Sequence, residues 1–139
     1  MCAILGDVHE CPELLPLTEK RPLATLPFDC KYRLIDFNLS NAINANIKSV
    51  YMVFNQGTTK SVFDHIGGGR EWHLDSVDSR FFIHFYQDFL KKKAEGRPYF
   101  ESVIDYLNKS KSEYTVFMGN RMLYNIDLEA VLKIHQQTS

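Results

Sequence analysis

The sequence predicts an α/β fold built on a mainly parallel sheet. Apolar runs typical of buried strands alternate with segments of helical periodicity along the 139 residues, and no repeat or low-complexity tract interrupts them. Residues 50–54, Val-Tyr-Met-Val-Phe, are apolar without a break, as in strands that helices cover on both faces. This alternation is typical of an open, Rossmann-like sheet whose strands are joined by helical crossovers.

Composition narrows the class of protein further. With 45% hydrophobic and 13% aromatic residues, the chain can bury one core. The formal net charge of −1 and the lack of a basic stripe argue against a nucleic-acid partner. The three cysteines lack CxxC spacing and none of the five histidines forms an i,i+4 pair, so we expect a reducing, cytoplasmic location and no zinc site.

Membrane association is not expected either, because the sequence begins without a signal-peptide pattern and no apolar run approaches the roughly 18 residues that span a bilayer.

The N-terminal third predicts a short strand, a loop and a helix. Residues 2–5 form an apolar run that stops at Gly6, as a buried strand entering a loop does. Residues 7–31 carry four of the five prolines, which excludes a long helix or a central strand there. From Leu34 the apolar residues recur at helical spacing until about residues 44–46, where a helix should end.

The rest of the chain predicts alternating strands and helices. Strands are expected at residues 47–54 and 114–118, and helices at residues 58–66, 102–109 and after Asp127, which should cap the last helix. The three glycines after residue 66 allow almost any backbone path, so we expect a mobile turn there.

The aromatic segment at residues 80–90 is too apolar to be exposed along its whole length. It is expected to pack on the core or to cover the sheet, with a subunit contact as the alternative. The three lysines that follow it should be a solvated end of that segment.

The most specific motifs lie between residues 16 and 44. They read PLTEKR at residues 16–21, PFDCKYRLIDF at residues 27–37 and LSNAIN at residues 39–44. These strings resemble the pattern PLTxxR…PFGGKYRLIDFxLSNxINxxI of glucose-1-phosphate adenylyltransferases, also called ADP-glucose pyrophosphorylases. The resemblance implies a Rossmann-like nucleotidyltransferase (nucleotide-diphospho-sugar transferase) domain that makes ADP-glucose and diphosphate from ATP and glucose 1-phosphate with Mg²⁺. It also implies that residues 1–139 are the N-terminal part of that domain, and that the family's C-terminal β-helix domain lies beyond Ser139.

The family's phosphate-binding loop is degenerate in this chain. Its motif GGxGTR, whose glycines admit the triphosphate and whose Arg neutralises it, falls on Val8, His9, Glu10, Cys11, Pro12 and Glu13. Two carboxylates repel an anionic triphosphate, and Pro12 has no N–H to donate. The loop should therefore bind ATP poorly.

Two further family residues are replaced. Leu23 stands where the family string RAKPAVP has its phosphate-contacting lysine, and Asn120 stands where the family places an Mg²⁺-binding aspartate. An aliphatic side chain cannot stabilise developing charge, and a neutral amide is a poor substitute for a carboxylate ligand. Asp127 matches another family aspartate, but its place before an apolar helical run favours the capping role. We therefore expect no catalytic residues and no metal or cofactor in this chain, although active family members use Mg²⁺.

The combined losses resemble the regulatory second subunit of bacterial ADP-glucose pyrophosphorylases, the GlgD type. That resemblance implies a cytoplasmic hetero-oligomer in which this chain is inactive alone and assists a catalytic subunit. Lys20, Arg21 and Gln56 match family positions associated with binding a sugar-phosphate effector and relaying its effect. Solvated surface charges are the alternative for Lys20 and Arg21.

Two other functions stay open at this point: an active sugar-phosphate nucleotidyltransferase with an atypical phosphate loop, and an unrelated α/β binding module. We also expect a chain of this length to self-associate through residues 81–90 or through an open sheet edge.

Overall fold

A four-stranded parallel sheet organises the chain in the computed structural model, which describes residues 1–57, 59–76 and 78–139. In chain order the strands are β1 (Cys2–Asp7), β2 (Pro27–Phe28), β3 (Tyr32–Arg33), β4 (Ser49–Phe54), β5 (Arg80–Phe85) and β6 (Thr115–Gly119). The main sheet has the order β5-β4-β1-β6, and β2 pairs with β3 in a separate antiparallel hairpin. All pairings within the main sheet are parallel, which confirms the predicted sheet.

Within the described residues, five α-helices connect and cover the strands. They are α1 (Leu34–Asn44), α2 (Lys60–Ile66), α3 (Tyr86–Ala94), α4 (Glu101–Ser110) and α5 (Leu128–Thr138). The predicted helices and strands at these places are confirmed, with ends that differ by a few residues. Thr58, the predicted first residue of the second helix, lies outside the described residues.

The core occupies both faces of the sheet, because alternate residues of each strand point to opposite sides. On one face Leu5, which pairs with Met52 and Met118, packs with residues of α1 and α2. On the other face Cys2 and Tyr51 pack with Tyr106 of α4. Helices therefore cover β4 on both faces, which explains its unbroken apolar run.

Residues 80–90, which are expected to pack on the core or to cover the sheet, form the edge strand β5 and the first turns of α3. Phe81 packs with one core cluster and Phe82 with the other. His84 stacks on Tyr51 with 4.4 Å between ring centroids, and burial lowers its pKa. The segment is thus a strand of the sheet and not a cover over it.

The proline-rich segment before α1 contains two short 3₁₀ turns, Pro12–Leu14 and Leu23–Thr25, and the β2–β3 hairpin. The prediction that it holds no long helix or central strand is confirmed.

Of the three glycines after α2, Gly69 is tightly constrained. Its φ of 81° favours glycine, and a Cβ there would lie 2.7 Å from Cε1 of Phe81. Gly69 therefore uses the conformational freedom that the sequence assigns to these glycines, and its lack of a Cβ leaves room for Phe81.

Across the described parts of the chain, no helix combines the length and the apolar character that crossing a membrane requires.

Candidate functional site

The candidate site lies at the carboxyl end of the central strand. The chain runs from β1 to β4 and β5 on one side, then returns to place β6 on the other side of β1. Such a reversal opens a crevice beyond the carboxyl ends of the strands, where α/β sheets bind ligands. A cleft of about 360 Å³ lies at this edge, next to the end of β1.

The structure brings most of the predicted site residues to this cleft. Its lining includes His9, Glu10, Cys11, Pro12, Arg21, Leu23 and Gln56. Val8, Glu13, Lys20 and Asn120 are not among the lining residues. Lys20 is exposed, whereas Asn120 is buried at the end of β6. Seven of the predicted residues therefore share one cleft, while the other four lie outside its lining.

The cleft is acidic. Asp7, Glu10 and Glu19 line it, and within the described part of the chain Arg21 is the only lysine or arginine among its lining residues. His9 adds positive charge only when it is protonated. Three carboxylates against one guanidinium make a poor site for a triphosphate, which carries several negative charges itself.

Asp7 is a site residue that the sequence analysis missed. Its carboxylate is buried and accepts a hydrogen bond of 2.7 Å from the backbone N–H of Ala24. The bond ties the end of β1 to the short turn that carries Leu23. Burial raises the pKa of Asp7 above its ordinary value of 3.8, against the lowering effects of the Ala24 N–H and of the charges on His9 and Arg121.

Substitutions at Asp7 should separate its hydrogen bond from its charge. Asp7→Ala leaves the Ala24 N–H buried without an acceptor, so we expect a loss of about 1–3 kcal/mol in the free energy of unfolding. Asp7→Asn keeps an acceptor and removes the charge. Because the folded pKa is raised, the stability that Asp7 contributes is full below pH 3.8 and falls as the pH rises through the folded value.

Urea unfolding from pH 3.5 to pH 8 measures both effects. Asp7→Asn should therefore be at least as stable as the parent at neutral pH, and its advantage should shrink on acidification. An advantage that grows on acidification would contradict the assigned sign.

A series of amide hydrogen bonds connects Gln56 to the degenerate loop. The backbone N–H of Gln56 donates to Oε1 of Gln87 at 2.7 Å. Nε2 of Gln87 donates to Oδ1 of Asn55 at 3.2 Å, and Nδ2 of Asn55 donates to the carbonyl oxygen of Val8 at 2.9 Å. The backbone of Gln56 is thus connected to Val8, the first residue of the loop. The connection runs through the side chains of Gln87, after β5, and Asn55, after β4.

Asn120 is held by a second amide network, centred on Asn38 of α1. Nδ2 of Asn38 donates to Oδ1 of Asn120 at 2.6 Å and to the carbonyl oxygen of Gly119 at 3.0 Å. The hydroxyl of Tyr124 donates to Oδ1 of Asn38. Asn41 continues the network, since its Nδ2 donates to the carbonyl oxygen of Tyr124 at 3.2 Å. Two asparagines of one helix therefore hold the segment that follows β6.

These residues do not fit a magnesium ion. Mg²⁺ is bound through oxygen ligands, carboxylates above all, whereas Asn120 offers a single neutral amide oxygen, which also accepts from Asn38, and its Nδ2 is buried without a hydrogen-bond partner. Among residues 1–57, 59–76 and 78–139, no three His, Cys, Asp or Glu side chains gather in a group that could hold a metal. An unpaired buried amide group costs about 1–3 kcal/mol.

Asp127 caps α5. Its Oδ1 accepts from the backbone N–H of Ala130 at 3.0 Å, so the capping role that the sequence favours is confirmed.

Comparison with known proteins identifies a protein family and several similar proteins. The family model for nucleotidyl transferases matches residues 12–139. The glycogen biosynthesis protein GlgD of Bacillus subtilis (strain 168) is 35% identical over 99% of this chain and 40% of its own length. GlgD of Geobacillus stearothermophilus is 37% identical over 97% of this chain and 40% of its own length.

A glucose-1-phosphate adenylyltransferase and a crystal structure also match. Glucose-1-phosphate adenylyltransferase 1 of Vibrio vulnificus (strain YJ016) is 29% identical over 99% of this chain and 35% of its own length. The crystal structure of a putative glucose-1-phosphate thymidylyltransferase from Bacillus anthracis superposes with a TM-score of 0.69 at 12% identity, over 98% of this chain and 50% of that chain. The chain spans about 40% of the length of the GlgD relatives that it matches.

Proposed function

Because the chain belongs to the nucleotidyl transferase family, we propose that it is part of a non-catalytic, regulatory subunit that assists an active glucose-1-phosphate adenylyltransferase in glycogen synthesis. Family membership makes the alternative of an unrelated α/β binding module wrong. An active enzyme with an atypical loop is the remaining alternative. It predicts ADP-glucose synthesis without a partner, which the regulatory function does not.

The negative charge of the cleft is the observation that supports the proposal. Glu10 lies where the resemblance places the glycine-rich phosphate loop, and it shares the cleft with Asp7, Glu19 and Leu23. Phosphoryl-type transfer depends on positioning and on neutralising the charge of the phosphates. This cleft has too little positive charge to position the phosphates or to neutralise their charge, so the chain is not expected to carry out the reaction by itself.

The retained scaffold supports a role in assembly and regulation. The chain resembles two GlgD proteins over nearly its whole length. It keeps the strings at residues 16–21, 31–37 and 39–44, whereas the phosphate loop, Leu23 and Asn120 depart from the resemblance pattern. Arg21 lines the cleft and Gln56 is hydrogen-bonded towards the loop through Gln87. We propose that Lys20 and Arg21 bind the phosphate of a sugar-phosphate effector, and that the amide series transmits its presence.

The expected result of co-expression is a complex. A tagged full-length protein should co-purify with the catalytic subunit. The complex should show a change of about fivefold or more in turnover or in the effector concentration for half-maximal activity, which corresponds to an ordinary allosteric coupling energy. The measurement is ADP-glucose formation at varied sugar-phosphate effector, with each protein alone and with both together.

A charge-matched control tests the effector residues. Lys20→Ala with Arg21→Ala should abolish the effector response of the complex. Lys91→Ala with Lys93→Ala removes two exposed charges on α3 and should leave the response unchanged. Absence of a complex, or a complex with the kinetics of the catalytic subunit alone, would refute the regulatory function. Robust ADP-glucose synthesis by the chain without its partner would favour the active-enzyme alternative.

A further inference from the structure

A second cleft lies between the β2–β3 hairpin, α1 and the turn that follows α2. Its volume is about 560 Å³, which is within the range of small-molecule sites. Within the described residues it shares no lining residue with the acidic cleft at the end of β1. Aromatic rings and polar side chains line it together, among them Tyr32, Phe37, Ser40, His65, Glu71 and Trp72.

The carboxylate of Asp36 joins the walls of this second cleft. Its Oδ2 accepts from the backbone N–H of Arg33, the last residue of the hairpin, at 2.8 Å. Its Oδ1 lies 2.6 Å from Nε2 of His65 in α2. Both side chains of this pair are largely buried. The cleft is therefore held in one shape before a ligand enters, which lowers the entropic cost of binding.

The turn after α2 places Trp72 in the wall of the second cleft. Gly69 and His73, at the two ends of the 3₁₀ turn Arg70–Trp72, both have left-handed backbone conformations. The buried Trp72 ring lies 5.8 Å from the His65 ring between centroids. A buried indole N–H usually has a hydrogen-bond partner, but Trp72 makes no side-chain hydrogen bond to another described residue. Its indole N–H is therefore a donor that a ligand can use.

The other polar groups of the second cleft are mixed in kind. Because the Asp36 carboxylate only accepts, Nε2 of His65 carries the hydrogen, and Nδ1 of the neutral ring is an acceptor. The Ser40 hydroxyl and the Glu71 carboxylate have no hydrogen bond to the rest of the described chain. One lysine, Lys31, lines the cleft together with the two carboxylates. Donors and acceptors thus alternate with little net charge, which suits a neutral ligand and not a polyanion.

We propose that the second cleft binds a carbohydrate, with a pyranose ring stacked on Tyr32 and its hydroxyls hydrogen-bonded to the polar wall. The C–H face of a pyranose packs on an aromatic ring, because that ring is apolar and electron-rich on its face. The Lys31 ammonium, 5.3 Å from the centroid of the Tyr32 ring, restrains that ring. Hydroxyls around the sugar match separate donors and acceptors, which the planar edge of a nucleobase does not. This inference goes beyond the proposed function and does not rest on it.

Calorimetric titration of the full-length protein tests carbohydrate binding. The probes are maltotriose and cellotriose, which share the pyranose chemistry and differ in the linkage between their rings. We expect saturable binding of at least one of them, with a dissociation constant of about 0.1–5 mM. Adenosine should not displace the bound trisaccharide. Absence of saturable binding for both trisaccharides up to about 20 mM, or displacement by adenosine, would overturn the proposal.

Substitutions at Tyr32 test the location of the sugar. Tyr32→Ala should weaken trisaccharide binding by about fivefold or more, whereas Tyr32→Phe keeps the ring and should stay within about twofold of the parent. Phe63→Ala is the matched control, because Phe63 and Tyr32 are both 46% exposed and Phe63 is not among the described lining residues. Equal affinities of the Tyr32→Ala and Phe63→Ala variants would overturn the proposal. The titrations need neither a catalytic subunit nor an effector, so their failure is distinct from failure of the proposed regulatory function.

Discussion

A variant that carries Leu23→Lys, Asn120→Asp and a glycine-rich loop in place of residues 8–13 should make ADP-glucose from ATP and glucose 1-phosphate. Neither point change alone should do so. The lysine supplies charge to the cleft that Leu23 now lines, the aspartate supplies a metal ligand, and the glycines remove Glu10 and Glu13. Residues that act as a unit have strongly non-additive effects, so the combined variant should exceed either single variant by about 100-fold or more in turnover.

The measurement is diphosphate release by the full-length variants with Mg²⁺, without a partner subunit. Calorimetric titration with ATP and Mg²⁺ should show no micromolar affinity in the parent and measurable binding in the combined variant. Activity from Asn120→Asp alone would contradict the prediction.

Leu5→Ala should cause a large loss of stability. Leu5 is fully buried in the central strand and pairs with Met52 and Met118, which are buried as well. Its truncation removes apolar burial and leaves a cavity between the sheet and the helices α1 and α2, which typically costs about 2–5 kcal/mol. This is a large share of the roughly 5–15 kcal/mol that keeps a domain folded.

Leu17→Ala is the matched control, because Leu17 is 59% exposed and its truncation should change stability by less than about 0.5 kcal/mol. Urea unfolding followed by circular dichroism measures both variants. A loss below about 1 kcal/mol for Leu5→Ala would show that the strand is not the core element that its burial indicates.

Elements with a strong local pattern could be predicted from the sequence. The run at residues 50–54 is apolar throughout because β4 is covered on both faces, and α1 has apolar residues at helical spacing because one side of it packs on the sheet. Strand β5 has a weaker pattern. It lies at the sheet edge, its residues from Phe81 to Phe85 are only half-buried, and Arg80 and His84 interrupt its apolar run.

Linear motifs indicate candidate site residues in the sequence, whereas long-range contacts leave no pattern there. Residues 9–12 of the degenerate loop line one cleft with Leu23. Asp7 was missed because its partner is the N–H of Ala24, 17 residues away along the chain. In the sequence Asn38 is an ordinary polar residue of a predicted helix. Its contact with Asn120, 82 residues away, depends on the fold of the whole sheet.

The strand order has a consequence for how the chain folds as it is synthesised. β1 leaves the ribosome before the other strands described here, yet one of its two neighbours is β6, and Cys2 pairs with Thr115. At the usual rate of translation the intervening residues take about 5–20 s to appear. During that interval β1 can pair with β4 but has an open side, and Leu5 lacks contact with Met118. Contacts between residues so far apart in sequence also slow folding. The nascent chain should therefore expose the apolar residues of its central strand for seconds, with this edge of β1 open to pairing with other strands.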